Sequence, residues 1–256
     1  MRPLISRVGG KTKLADRLIS QFPEHKTYVE AFVGGGSIFF KKPQSEVEVV
    51  NDKDIDVMSI YRDVRNVPSL SNVSFQPNRN KFNRFRKQTK FKSDKERLHR
   101  NLYLSLNSFR GNRKTYVGEK QEKLAKNVGR KFTKQDLYDQ YRNRLKDTKI
   151  HSLDYQQVIK KYDAPDTFFY LDPPYSRAES QKDYKEVGVR LEEICAFLKN
   201  IKGKFMMSYD AEIDVKKICP KFNLYKIQTK YESPTRGSYV VDEYIITNYV
   251  LDKKKI

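Results

Sequence analysis

Residues 167–175 read Thr-Phe-Phe-Tyr-Leu-Asp-Pro-Pro-Tyr and carry the clearest structural signal in the chain. The short apolar and aromatic run Thr167–Leu171 predicts a buried strand. That strand ends at Asp172, because neither of the prolines that follow can donate a backbone hydrogen bond to a neighbouring strand. Open parallel sheets bind ligands beyond the carboxyl ends of their strands, so we expect Asp172 to lie at a binding site.

The sequence Asp172-Pro173-Pro174-Tyr175 suits chemistry on an exocyclic amine. Such an amine is a poor nucleophile, because its lone pair is delocalised into the ring. The Asp172 carboxylate and the Pro173 carbonyl, held by two prolines of fixed φ, would each accept one N–H and favour a tetrahedral nitrogen. Tyr175 would offer a ring face for stacking of the base. A simple turn is the alternative interpretation, because proline favours turns.

Strands alternate with helices on both sides of this stretch, which is the pattern of an α/β fold with a parallel sheet. The other predicted strands are Tyr28–Val33, Glu46–Val50 and Lys204–Ser208, closed by an antiparallel pair, Phe222–Thr229 and Tyr239–Val250. The predicted helices are Lys13–Phe22, Ser37–Phe40, Asp54–Tyr61 and one with a face of Leu191, Ile194, Cys195 and Leu198. Gly34-Gly35-Gly36 joins a strand to a predicted helix, as phosphate- and nucleotide-binding loops do.

Positive charge is concentrated in the middle of the chain. The 52 Lys+Arg and 32 Asp+Glu residues give a net charge of +20, and residues 79–149 hold 23 of the basic and 7 of the acidic residues. Phe82, Phe85, Phe91, Tyr103, Phe109 and Tyr116 lie among them. Basic and aromatic side chains together neutralise phosphates and stack on bases, so we expect a nucleic-acid partner. We predict a mostly helical recognition domain inserted at residues 66–149, with residues 1–65 and 150–256 forming the other domain.

Composition and spacing argue against several other classes. No segment has the ~18 apolar residues of a membrane span, and the first residues lack a signal-peptide pattern, so we expect a soluble intracellular protein. Cys195 and Cys219 are too few for a disulfide scaffold, and we interpret both as small core residues. No metal site is expected, because the histidines are scattered and Asp52, Asp54 and Asp56 better suit a helix start.

Four motifs follow one another along the chain: Val8-Gly9-Gly10-Lys11, Glu30-Ala31-Phe32-Val33-Gly34-Gly35-Gly36-Ser37, Asn51-Asp52 and Asp172-Pro173-Pro174-Tyr175. In this order they resemble the Dam-type family of DNA adenine-N6 methyltransferases, over nearly the whole chain. The resemblance implies a class-I, Rossmann-like methyltransferase sheet that uses S-adenosylmethionine to methylate adenine N6 in double-stranded DNA. In that family the target-recognition region lies between the glycine and Asp-Pro-Pro-Tyr motifs, where this chain has its basic segment.

The resemblance also implies a set of cofactor-binding residues, which are Arg7, Lys11, Phe32, Gly34, Gly36, Asp52, Asp154, Tyr155 and Asp172. Gly34 and Gly36 would approach the methionine part, beside Phe32. Asp52 would bind the ribose hydroxyls, and Lys11 is similar to the family lysine near the cofactor carboxylate. Asp154-Tyr155 would flank the adenine. Two alternatives stay open, since Asp52 could instead cap the next helix and Asp154 could lie in a surface turn.

The segment Leu102–Gly118 corresponds to the sequence-reading hairpin of the family. The implied DNA-contacting residues are Asn107, Ser108, Phe109, Arg110, Asn112 and Arg113. Arginine suits guanine edges, asparagine suits adenine edges, and Phe109 could act as a wedge. The alternative is a basic loop that touches only phosphates. The segment is shorter than the family hairpin and lacks its Asn-x-Pro ending, so we expect GATC or a variant of it as the target. Arg7 stands where the family usually has an aromatic residue, so we expect weaker packing against the cofactor.

Two other functions remain open at this point. The same site could methylate adenine in RNA, which weak preference for duplex DNA in competition would indicate. The chain could also be a non-catalytic nucleic-acid-binding protein on the same scaffold, although the intact Asp172–Tyr175 motif argues against that alternative.

Overall fold

Seven strands form a single sheet in a computed structural model that describes residues 1–7, 9–117, 129–174, 189–210, 215–233 and 237–252. The strands are β1 (Thr27–Glu30), β2 (Val47–Asn51), β3 (Lys149–His151), β4 (Thr167–Leu171), β5 (Lys204–Asp210), β6 (Asn223–Ser233) and β7 (Gly237–Thr247). Their order across the sheet is β3-β2-β1-β4-β5-β7-β6.

The centre of the sheet is parallel and one end is antiparallel. β1 pairs in parallel with β2 and β4, and β4 pairs in parallel with β5. β7 runs antiparallel to both β5 and β6. All five residues of β4 are buried, as expected for a parallel strand covered on both faces. These pairings confirm the predicted α/β class, the exact bounds of β4 and the closing antiparallel pair.

The helices are α1 (Ala15–Ile19), α2 (Ile55–Asn66), α3 (Arg79–Lys87), α4 (Asp94–Leu106), α5 (Gln135–Leu145), α6 (Tyr155–Tyr162), α7 (Leu191–Leu198) and α8 (Val215–Ile218), with a 3-10 turn at Phe109–Gly111. The face predicted for α7 is buried at all four of its positions. The prediction of a helix at Ser37–Phe40 was wrong, because these residues form turns. A run of four residues is too short to show a helical period. The apolar character of Ile38, Phe39 and Phe40 reflects their burial and not a helix.

The described chain divides into two compact units. The first unit comprises residues 1–10, 34–41 and 52–152, and the second comprises residues 11–33, 42–51 and 153–256. In the first unit α2 packs against α4 and α5, and Arg97 of α4 forms two hydrogen bonds with the buried Asp63 of α2. The described part of residues 66–149 holds α3, α4, α5 and further helical residues at 129–133, and the inserted domain with these limits stays a prediction.

The second unit contains a continuous apolar core. It is formed by one face of the sheet, including Val29 of β1 and Phe169 of β4, against α6 and α7. Cys195 and Cys219 are buried in this core, as predicted, but they form a disulfide, which the sequence analysis did not anticipate. Their Cα atoms lie 5.8 Å apart, a distance that suits such a bond. A separation of 24 residues carries no local signal for the pairing.

Candidate active site and nucleic-acid interface

The glycine loop of the first unit requires residues without a side chain. Gly34 and Gly36 have φ values of 48° and 75°, in the left-handed region that glycine favours. A Cβ atom on Gly36 would lie 2.6 Å from the Tyr61 hydroxyl oxygen. The same hydroxyl donates a 3.2 Å hydrogen bond to the Gly34 carbonyl. The loop therefore packs closely on α2, which holds its backbone in place.

Asp52 organises this loop. Its Oδ2 accepts a hydrogen bond from the Gly34 N–H at 2.9 Å, and its Oδ1 accepts one from the Asp54 N–H at 2.9 Å. Burial raises the pKa of the Asp52 carboxyl, while these N–H groups and the charge of Arg7 act in the opposite direction. The helix cap considered for Asp52 is supplied by Asp54, whose carboxylate accepts the N–H groups of Asp56 and Val57.

Arg7 lies beside Asp54 in the first unit. Its Nη2 atom is 3.3 Å from Asp54 Oδ2, and its side chain is mostly buried. Where the resemblance leads us to expect an aromatic ring, Arg7 thus brings a positive charge that pairs with Asp54. Val8, which begins the first sequence motif, lies outside the described residues.

A buried lysine and two carboxylates form a charged cluster in the second unit. The Lys11 Nζ atom donates a 2.8 Å hydrogen bond to Asp172 Oδ1 and lies 3.5 Å from Glu243 Oε2. Lys11 is 3% exposed, so its charge depends on these partners. Asp172 directly follows β4, and Glu243 lies on β7. Sequence analysis missed Glu243, because only strand pairing brings it to Lys11 and Asp172.

The Asp-Pro-Pro-Tyr motif continues from Asp172 along the chain. Pro173 is buried and Pro174 is half-buried. Tyr175 lies outside the described residues, so its role in stacking stays a prediction.

Phe32 and Tyr155 come together in the second unit, with ring centroids 5.4 Å apart. Asn51 holds the segments that carry them, because its Nδ2 donates to the Ala31 and Leu153 carbonyls, each at 3.0 Å. Its Oδ1 accepts the Leu153 N–H at 2.9 Å. Sequence analysis singled out Asn51-Asp52 as a motif without finding this cross-link.

Asp154 begins α6 as its N-cap. Its carboxylate accepts the Gln156 N–H at 2.9 Å and forms a capping box with Gln157. This local function accounts for the Asp-Tyr pair without a ligand. The predicted contact of Asp154 with the cofactor adenine stays a prediction.

Residues 107–117, here called the recognition loop, fold back on themselves. Ser108 and Tyr116 form an isolated antiparallel bridge, and the Phe109 N–H donates to the Thr115 carbonyl at 2.8 Å. Asn107 is buried and its Nδ2 donates to the carbonyls of Phe75 and Tyr103. Asn107 therefore fixes the base of the loop in this structure.

Three other predicted DNA-contacting residues also have contacts inside the first unit. The Ser108 Oγ accepts the Arg113 N–H at 2.8 Å, and the Asn112 Oδ1 accepts the N–H groups of the next turn, those of Lys114 and Thr115. The Arg113 guanidinium makes a close ion pair with Asp54. Phe109 is 46% exposed. The side chain of Arg110 lies outside the described part of the structure.

Helix α3 carries a basic surface next to the recognition loop. Five of its residues are basic, none is acidic, and Arg79, Arg84, Arg86 and Lys87 are exposed. Phe82 on its buried side contacts the Tyr116 ring, with centroids 5.3 Å apart, and Arg79 lies over the same ring. Such a helix next to the loop suits contact with phosphates.

A groove of about 760 Å³ lies elsewhere in the second unit and is lined by residues such as His25, Lys42 and Ser45. None of the predicted site residues lines it. Within the described ranges, no helix is long and apolar enough to cross a membrane, and no cluster of three or more His, Cys, Asp or Glu residues could hold a metal ion.

A comparison with models of protein families covers most of the chain. A model of the D12 class N6 adenine-specific DNA methyltransferases matches residues 8–233. The chain belongs to this family. Membership confirms the predicted resemblance, and the function that it supports is site-specific methylation of adenine N6 in DNA.

Similar proteins of known class match the D12-family chain along nearly its full length. Type II methyltransferase M.CviBI of Paramecium bursaria Chlorella virus NC1A is 26% identical over 269 residues, which cover 98% of this chain and 99% of the relative. M1.LlaDCHI of Lactococcus lactis subsp. cremoris is 27% identical over 97% of this chain and 96% of the relative. M.MjaIII of Methanocaldococcus jannaschii is 23% identical over 97% of this chain and 99% of the relative.

Proposed function

We propose that this D12-family methyltransferase takes its methyl group from S-adenosylmethionine and acts on double-stranded DNA. The observation that carries the proposal is the ion pair of Lys11 with Asp172 directly after β4. It fixes one oxygen of the carboxylate that begins the Asp-Pro-Pro-Tyr motif. A fixed acceptor favours catalysis, because it needs no reorganisation during the reaction.

The residues present fit S-adenosylmethionine chemically. Asp52 offers a carboxylate to hydroxyl donors, while the backbone of Gly34 and Gly36 provides close approach without side chains. Phe32 and Tyr155 provide apolar rings. When bound, the cofactor supplies an electrophilic methyl group. Arg7, in this proposal, stabilises the segment after Asp52 through Asp54.

The target adenine is flipped out of the duplex so that N6 can reach the catalytic carboxylate. Asp172 accepts one N6–H and the Pro173 carbonyl accepts the other, which localises the nitrogen lone pair. Tyr175 stacks on the base. Lys11 orients Asp172, and Glu243 is a second carboxylate beside the Lys11 ammonium.

The recognition loop and α3 bind the DNA in this proposal. Phe109 and Arg110 lie at the turn of the loop and would contact the target, while α3 neutralises backbone phosphates. The target sequence is GATC or a variant of it.

The proposal is tested with labelled S-adenosylmethionine and unmethylated genomic DNA, followed by digestion to nucleosides. We expect label in N6-methyladenine, and competition by duplex DNA that is stronger than competition by RNA. Asp172→Asn should abolish transfer and leave DNA affinity unchanged. Asp166→Asn is the matched control, because Asp166 is exposed and directly precedes the same strand, and this variant should retain full activity. Transfer by Asp172→Asn at the wild-type rate would remove the mechanism, and DNA binding without any transfer would favour a non-catalytic function.

A further inference from the structure

Arg113 has an unusual backbone conformation within the recognition loop. Its φ of 58° makes it the one non-glycine residue with positive φ among the described residues. Residues with a Cβ atom rarely adopt this conformation, and such strain concentrates at functional sites. The Arg113 N–H donates to Ser108 Oγ at 2.8 Å, which helps to hold the strained position.

The Arg113 side chain contacts two acidic residues at the start of α2. Its guanidinium makes a close ion pair with Asp54 and lies 3.3 Å from Asp56 Oδ2. The side chains of Arg113 and Asp54 are 15% and 26% exposed, so water competes only weakly for this contact. Asp54 also pairs with Arg7.

Asp54 connects the recognition loop to the glycine loop. Its side chain caps α2 and binds Arg113, and its backbone N–H donates to Asp52 Oδ1. Asp52 in turn accepts the Gly34 N–H. A short series of direct contacts within the first unit thus runs from Arg113 to the acid proposed to bind the ribose.

We propose that Asp54 is a positioning residue for target selection, and that Arg113 anchors the recognition loop to it instead of reading a base. This inference rests on the proposed function, since it requires a cofactor at Asp52 and a selected DNA sequence. Selectivity then depends on an acid that contacts neither the base nor the cofactor. The anchored loop presents Phe109, which is exposed, towards the nucleic acid.

Asp54→Asn is the decisive variant. Asparagine keeps the N-cap and the backbone N–H, and it removes the negative charge that pairs with Arg113 and Arg7. Arg113→Asn is the reciprocal variant, because asparagine tolerates the left-handed conformation. Asp139→Asn is the control, since Asp139 forms an exposed ion pair with Arg142 in α5 of the same unit. Thermal unfolding establishes that each variant is folded.

The measurement compares two DNA duplexes and one cofactor product. Sequencing of DNA modified by the wild-type protein gives the target, and the second duplex differs from it at one base pair. We expect Asp54→Asn and Arg113→Asn each to reduce the ratio of the two dissociation constants about tenfold, the value of roughly one correct base pair. The double variant should lose no more discrimination than either single variant, because both changes break the same Arg113–Asp54 ion pair. Affinity of Arg113→Asn for S-adenosylhomocysteine should stay at the wild-type value, because this variant leaves the Arg7–Asp54 ion pair in place.

Two outcomes overturn the inference. The first is a folded Asp54→Asn variant with wild-type discrimination. The second is loss of discrimination in Arg113→Asn alone, which would mean that Arg113 reads a base directly. Failure of the proposed function is distinguishable, because it would appear in the wild-type protein as absent methyl transfer or absent cofactor binding.

Discussion

The Lys11 ammonium donates a 2.8 Å hydrogen bond to the Asp172 carboxylate, although 161 residues separate them. The resemblance implied a contact of Lys11 with the cofactor carboxylate, whereas this structure places it on the first residue of the Asp-Pro-Pro-Tyr motif. Lys11 and Glu243 are both buried, and Lys11 lies between two carboxylates, with Asp172 the nearer of the two. The pairing explains how a carboxylate at the end of β4 is held in one orientation.

Lys11→Met should lower kcat by about 100-fold, the usual size of the effect when one preorganised electrostatic group is lost. DNA affinity should not change. Single-turnover methyl transfer measures the rate, and calorimetry measures cofactor binding. A rise in KM for S-adenosylmethionine at constant kcat would instead show that Lys11 acts on the cofactor.

The stability of the same variant provides the control. Removal of one partner from a buried ion pair costs about 3–5 kcal/mol, and in Lys11→Met the carboxylates of Asp172 and Glu243 both lose the positive charge of the lysine. Adding Glu243→Gln to Lys11→Met should therefore recover part of the lost free energy of unfolding without restoring kcat. Equal unfolding free energies for the single and double variants would contradict the charge balance described here.

Replacement of Arg84 and Arg86 by glutamine should weaken DNA binding to the same degree for every sequence. Both side chains are exposed on α3. If each contacts one phosphate, the slope of log K against log salt should become shallower by about 2. Fluorescence anisotropy at several salt concentrations measures the slope. Replacement of Lys160 and Lys161 on α6 removes the same charge from the second unit, and an equal change there would argue against a specific contribution of α3.

Lys131 should make stability depend on pH. Burial lowers the pKa of its ammonium to about 7, against 10.5 for an unperturbed lysine, although its Nζ donates to the Pro3 carbonyl. Between these values the unfolded chain binds more protons than the folded chain, so the free energy of unfolding from this group rises with pH from about 7 to 10.5. Below pH 7 both states are protonated and the contribution is constant.

Lys131→Met should remove that part of the pH dependence. Urea unfolding at intervals between pH 6.5 and 10 measures it, as the difference between wild type and variant, which cancels the other titrating groups. The difference should be largest at the low end of this range, where the variant is the more stable protein. Parallel curves would show that Lys131 keeps its ordinary pKa.

Local patterns in the sequence predicted local structure well. β4 and α7 were found because an apolar run before prolines and a helical spacing of Leu191, Ile194, Cys195 and Leu198 are both properties of short segments. The spacing of Tyr155, Val158 and Ile159 could have revealed α6 in the same way. β3 has three residues, too few for any period.

Long-range contacts escaped prediction for a physical reason. The contacts of Lys11 with Glu243 and of Arg113 with Asp54 depend on sheet pairing and helix packing, neither of which leaves a periodic trace. The sequence marked Asp172, Asp52 and Arg113 as chemically important. Which acid each basic residue would meet became clear only from the fold.

Asn51 fixes both ends of the long chain segment that follows it. Its carboxamide binds both the main-chain N–H and the carbonyl of Leu153, so the chain departs after Asn51 and returns at one fixed point. Residues 52–152 thus form a segment that begins and ends at the Asn51–Leu153 contact. A change in the length of the chain between residues 52 and 152 would leave these two hydrogen bonds, and the point at which the chain rejoins the sheet, in place.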